Sequence, residues 1–174
     1  MVVWFLFGAM CVLVLIFILA YFKFASLSKQ TQKAWQQLDH QLKFRMEFIP
    51  SLALSAASLS ELDREFAYQL SSFKMPNPQK LSLKERVEHE AKLTHAFQTV
   101  FEAASKHPEL TNDEHFSKLK DSIIQSEQKI QRAKKKYNST AHTFNIITTV
   151  IPLNLIAKMF EMEPYDYFDF DSSL

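Results

Sequence analysis

From Trp4 to Phe22 the chain is almost wholly apolar, and its first charged residue is Lys23. A helix over the uncharged residues from Met1 to Phe22 reaches ~33 Å at ~1.5 Å per residue, enough to cross the hydrocarbon core of a bilayer. The pattern therefore predicts a membrane span over residues 1–24, followed by a helical bundle over 25–160 and an acidic, aromatic tail over 161–174. Trp4 and Phe5 at one end, Leu15 within the run, and Tyr21 and Phe22 at the other end are the expected lipid-facing residues. Gly8, the only glycine in the chain, marks at most a weak helix contact in lipid. No basic residue precedes the run, and Ile18-Leu19-Ala20-Tyr21 makes a poor cleavage site. An uncleaved anchor fits better than a secretory signal. Lys23, Lys29, Lys33, Lys43 and Arg45 all follow the span, which places the N-terminus outside and the remaining domain in the cytoplasm.

Helical periodicity takes over after the span. Trp35, Leu38, Leu42 and Ile49 define one apolar stripe, widened by Ala34, Gln41 and Phe48. Pro50 interrupts it as a turn or a kink. The stripe resumes at Leu52, Ala56, Leu59, Phe66, Leu70 and Phe73 and stops at Met75-Pro76-Asn77-Pro78. Ser82 and Glu85 have the spacing of a capping box, opening a helix with Leu83, Val87, Ala91, Thr94, Phe97, Phe101 and Ala104 on one face. His107-Pro108 closes that helix, and Thr111 or Asn112 is the expected cap of the next. The last long helix runs on strict three-four spacing: Phe116, Leu119, Ile123, Ser126, Ile130, Ala133, Tyr137, Thr140, Phe144, Ile147 and Ile151. Pro152 is expected to end it.

Composition narrows the chemistry. The formal charge is +1, which gives no bulk electrostatic case for nucleic acid. Cys11 is the only cysteine, so no intramolecular disulfide is possible. Without glycine beyond Gly8, the chain has no Walker loop, no dinucleotide fingerprint and no nucleophile elbow. No histidine has glutamate three residues before it, and Glu88-His89-Glu90 lacks the second histidine of a zinc-protease helix. No metal, no cofactor and no catalytic set are expected.

The residues left to interpret are few. Arg45 falls on the apolar seam, where it needs either a carboxylate or an escape to water. Asp39, Glu47, Asp63 and Glu127 are the candidate partners, and Asp63 holds the matching seam position of its own helix. Asn138 and Asn145, beside Tyr137 and Phe144, either fix helix register or line a polar groove. The basic run Lys129, Arg132, Lys134, Lys135 and Lys136 reads first as a solvated face. In the tail, Tyr165, Tyr167, Phe168 and Phe170 alternate with acidic residues, and either fold back on the bundle or dock a partner.

Two blocks carry a family likeness: AWQQLDHQLKFRMEFIPSL from Ala34 to Leu52, and the region from Pro108 to Asp169 containing SEQKIQRAKKKYN, FNIITTVIPLNLIAKMF and EPYDYFD. With the anchor, they resemble the LemA family of bacterial membrane proteins. The resemblance implies an all-α fold in which an N-terminal transmembrane helix leads into an antiparallel four-helix bundle. It favours a turn near Pro50. It carries no established enzymatic activity and no catalytic residues. This chain departs from the family where Phe144 replaces a tyrosine, and in Ala157-Lys-Met-Phe-Glu161, where the family has glycines.

The resulting expectation is a non-enzymatic, single-pass protein of the bacterial inner membrane, whose cytoplasmic bundle is a scaffold or adaptor for protein partners. One alternative is a self-associating, membrane-shaping or lipid-associated protein using Lys23 to Lys33 and Lys129 to Lys136. Another is a ligand sensor with Tyr137, Asn138 and Asn145 lining the bundle interior.

Overall fold

The computed structural model describes residues 1–58, 68, 70, 71, 73, 82–151 and 153–170. All regular structure among them is helical. The elements are α1 (Val2–Met46), α2 (Ile49–Ala57), α3 (Leu83–Ser105), α4 (Pro108–Thr111), α5 (Glu114–Thr149) and α6 (Leu153–Met159). They belong to two compact units, one formed by Met1–Gln36 with Lys136–Tyr167 and the other by Gln37–Lys135 with Phe168–Leu174.

The turn that the family resemblance favours near Pro50 is absent. Val3–Ala57 is a single helical run. Phe48 keeps right-handed helical angles, and Glu47 and Phe48 donate to Phe44 and Arg45 at 3.1 and 3.3 Å, one residue shorter than the α pattern. Proline sits at the first turn of α2, where its missing N–H is tolerated. The buried stripe explains why the chain continues: Leu38, Leu42, Arg45, Ile49, Leu52 and Ala56 keep three-four spacing straight through the break. Pro50 tightens one turn and leaves the helix on its course.

In the first unit α1 and α5 run antiparallel. Phe24 meets Phe144 edge-on with centroids 6.0 Å apart, and Trp35 meets Tyr137 at 5.2 Å. Ala20, Phe24, Leu27, Phe144, Ile156 and Ala157 form the core, and α6 contributes the last two. Burying each large side chain of this kind contributes about 1.5–3 kcal/mol. The seam of α5 is buried or half-buried from Phe116 to Ile147. Ile151 is instead 78% exposed, because α5 ends at Thr149. Pro152 lies outside the described residues.

α6 stops in a glycine-type cap built without glycine. Glu161 has φ 49, the left-handed region. Met162 N donates to Ala157 O at 2.9 Å and Glu161 N to Lys158 O at 3.3 Å, the two bonds of a Schellman motif. The cap falls in the segment where the family's glycines are missing.

In the second unit Ile49, Leu52, Ala56, Leu70, Leu93, Phe97, Val100 and Ile123 share one core. Asp39 and Arg45 on α1 meet Arg86 and Glu90 on α3 in ascending order, so these helices are parallel. Leu70, between α2 and α3 in sequence, and Ile123 of α5 join the same core, which makes the second unit a helical bundle. α3 opens on the expected capping box, with Glu85 N donating to Ser82 Oγ and Ser82 N to Glu85 Oε2. Its inward face differs from expectation. Ala91 is exposed, while Arg86, Glu90, Leu93, Phe97, Val100 and Ala104 are buried. The cap of α5 is Asp113, whose Oδ1 accepts from Phe116 N at 2.8 Å, rather than Thr111 or Asn112. Leu59, Phe66 and Met75-Pro76-Asn77-Pro78 lie outside the described residues.

Candidate functional site

Arg45 is 1% exposed in the second unit. Its Nη1 stands 3.4 Å from Glu127 Oε2 and 3.8 Å from Glu90 Oε2, and its Nη2 donates to Thr94 Oγ1 at 2.6 Å. The guanidinium also lies over the Phe97 ring, 5.1 Å from the centroid. Burial pushes the Arg45 guanidinium down from its ordinary value, and the Glu127 and Glu90 charges push it part of the way back. Arg45 therefore faces both carboxylates, and Glu90 is fully buried. Heptad spacing puts Glu90 on the same face as Leu93 and Phe97. That spacing was the available signal, and a carboxylate is discounted when an apolar face is sought.

Asp39 pairs elsewhere. It accepts from Lys43 Nζ at 2.7 Å and from the Arg86 guanidinium. Burial would raise the Asp39 carboxyl, but the hydrogen bonds and charges of Lys43 and Arg86 hold it below its ordinary value. Glu47 is exposed, and Asp63 lies outside the described residues.

In the first unit, Asn145 grips the tail. Its Nδ2 donates to Tyr165 O and its Oδ1 accepts from Tyr165 N, both at 2.8 Å. One carboxamide thus satisfies both backbone groups of Tyr165, as a neighbouring strand would. Tyr137 donates its hydroxyl to Asp166 O at 2.8 Å, and the Tyr165 hydroxyl lies 2.8 Å from Ser28 Oγ. Tyr165 also packs edge-on against Phe144, centroids 5.0 Å apart. Burial, with Asp166 and Tyr165 nearby, pushes the Tyr137 phenol up to about 12. Tyr167 reaches His142 Nδ1 at 3.1 Å and is 48% exposed. Asn138 is half-buried.

The last described residues are held within the second unit. Phe168 and Phe170 are buried, stacked edge to face at 5.5 Å. Lys134 donates to Phe170 O at 2.7 Å, covers the Phe170 ring at 5.0 Å and stands 3.5 Å from Asp169. Lys134 is thus half-buried, unlike the exposed Lys129, Arg132, Lys135 and Lys136 of the same run. The tail folds back on its own chain.

At the opposite end, Trp4, Phe5, Leu15 and Phe22 stand open at 80%, 82%, 56% and 64% exposure, and Tyr21 at 42%. Nothing lies within 4 Å of a Cβ built on Gly8. Among the described residues, one helix is long and apolar enough to cross a membrane.

These features define a class: an all-α protein whose N-terminal apolar helix continues into a bundle, with its C-terminal segment strapped along the last long helix. The LemA family model matches residues 34–173, and the chain belongs to the LemA family. The chain has no match among curated proteins.

Proposed function

We propose that this protein is a non-enzymatic, membrane-anchored scaffold whose bundle holds protein partners at the inner face of the bacterial inner membrane. One observation carries the reading. α1 is a single 45-residue helix whose early residues have apolar side chains open to the surroundings and whose later residues sit in a bundle core. A water-facing helix of that composition would be an aggregation hazard, and lipid removes the penalty. The basic residues following the span favour a cytoplasmic bundle.

The interior supports a structural role. The Tyr137 and Asn145 polar groups bind the tail backbone, which argues against their lining a ligand site. Arg45 is enclosed by Glu90, Thr94 and Glu127. Partner recognition then falls to outward surfaces such as Tyr167 and the exposed basic run.

Two measurements test the proposal. Leu13→Arg with Leu15→Arg should move the protein from the carbonate-resistant membrane fraction to the soluble fraction. Proximity labelling from a C-terminal fusion should tag inner-membrane and cytoplasmic neighbours in intact cells. Labelling confined to envelope proteins outside the cytoplasm would reject the orientation. Unchanged fractionation of the arginine variant would reject the anchor.

A further inference from the structure

α6 is short and two-faced. Ile156 and Ala157 enter the core of the first unit, while Leu155 and Met159 are 60% and 70% exposed on the other side. Ile151, in the turn before α6, is also 78% exposed. Phe160 extends the patch at 46% exposure and packs on Phe17 and Tyr21, with centroids 6.1 and 5.2 Å away. Those two aromatic residues belong to the apolar stretch of α1, and Ala20 between them shares the α6 core. The exposed face of α6 is therefore continuous with the open surface of the last turns before Lys23.

We propose that α6 is an interfacial membrane helix, lying with Leu155, Met159 and Phe160 in the boundary between headgroups and acyl chains. The inference rests on the reading of α1 as a lipid-embedded anchor. Given that anchor, packing against Phe17 and Tyr21 fixes the depth of α6 at the cytoplasmic edge of the bilayer. Helices of this kind bury their apolar face ~5–10 Å into the boundary and keep basic residues beside it. Lys158 is exposed on α6, with a stem long enough to carry its ammonium back to the headgroups.

Polar groups nearby are arranged to match. Thr148 and Thr149 donate their hydroxyls to their own helix, to Asn145 O at 2.6 Å and Ile146 O at 2.8 Å, so neither needs water. Glu161 and Glu163 line a cleft of about 520 Å³ together with Asn145, Thr148, Thr149 and Lys158, which marks the watery side of the α6 turn. The occupant of the apolar face is the bilayer itself, because that face joins a surface already assigned to lipid.

The full chain carrying Cys11→Ala and a single new cysteine tests this in vesicles of three parts zwitterionic to one part anionic phospholipid. An environment-sensitive fluorophore is placed by Leu155→Cys or Met159→Cys. Leu13→Cys serves as the anchor control and Ser139→Cys, exposed on α5, as the water control. All four positions are open, so none of the labels disturbs a core. Iodide quenching at 155 and 159 should be at least about fivefold weaker than at 139, and lipids doxylated near the headgroup should quench both labels, as burial at the boundary requires. Iodide quenching within twofold of the 139 value, with the label at 13 still lipid-quenched, overturns the interfacial helix and leaves the anchor standing. Labels shielded from iodide and lipid alike would show a protein covering the face, and also overturn it. Iodide access at 13 removes the anchor and the proposal together.

Discussion

Each of the two units of this protein is tied together by polar groups of a different kind. In the first, the groups holding α1, α5 and the tail together are neutral: Ser28, Tyr137, Asn145 and the backbone of Tyr165 and Asp166. In the second, the buried set adds four charged residues, Arg45, Arg86, Glu90 and Glu127, to the neutral Thr94 and Ser126. Among the described residues no buried charged side chain lies in the first unit. The difference is instructive because neutral bonds of this kind tolerate a poorly solvating surrounding, whereas an ion cluster depends on every member being present. The unit that contains the apolar stretch has the neutral set, as its proposed place beside lipid requires.

Substitutions at Arg45 should break the contrast most strongly. Arg45→Met removes the buried cation that faces Glu90 and Glu127, and should cost about 3–5 kcal/mol. The triple variant Arg45→Met, Glu90→Leu, Glu127→Leu should recover most of that loss or exceed the parent, since apolar replacements of a whole buried cluster are often neutral or stabilising. Denaturant unfolding of the full chain in detergent measures both. An unaltered midpoint for Arg45→Met would mean that the cluster contributes no coupling between helices.

Asn145→Leu removes two hydrogen bonds from the neutral set and leaves the peptide groups of Tyr165 unsatisfied, a loss of about 1–3 kcal/mol. Hydrogen exchange at Tyr165 should accelerate, while exchange at Arg45 and Glu90 should hold steady if the two sets act independently. Acceleration at both places would erase the contrast. Glu161→Gly should act in the opposite direction. It relieves a left-handed conformation that costs about 1–2 kcal/mol for a residue with a Cβ, less the entropy of glycine, for a net gain of about 1 kcal/mol. A higher melting temperature is the readout.

The smallest effects are those of pH, and they fall on opposite limbs. The Asp39 carboxyl is depressed in the folded chain, so its contribution is present above its unfolded pKa and disappears as pH falls through the folded value. Asp39→Asn should flatten the acid limb of the melting curve. Tyr137 titrates at about 12 when folded, so its contribution is full below ~10 and is lost as pH rises toward the folded value. Tyr137→Phe should flatten the alkaline limb and leave the acid limb unchanged.

Much of the fold is visible in the order of residues. The α5 seam from Phe116 to Ile147 and the Ser82–Glu85 box follow from spacing alone, because local periodicity and caps are short-range properties. Arg45 is visible as a seam position for the same reason. Arg86 and Glu90 escape notice because a face is recognised by its apolar members, and here charges occupy two of its positions. The partner of Arg45 depends on which helices become neighbours, which no single stripe encodes. The grip of Asn145 on Tyr165 is similarly long-range. Pro50 misleads in the other direction, since a proline signal is local, while the continuity of the stripe beyond it extends over several turns.

The i→i−3 hydrogen bonds at Glu47 and Phe48 carry one last implication. They let a proline enter while the angular phase of the rod is preserved, so Leu38 and Ala56 still point to one side. Adding or deleting a single residue there would swing everything downstream by ~100°. Ile49 and Leu52 would then swap places with the wetted side of the helix. Residue count across this joint is therefore a stricter requirement than the identity of the proline, and a length change should be far more damaging than Pro50→Ala.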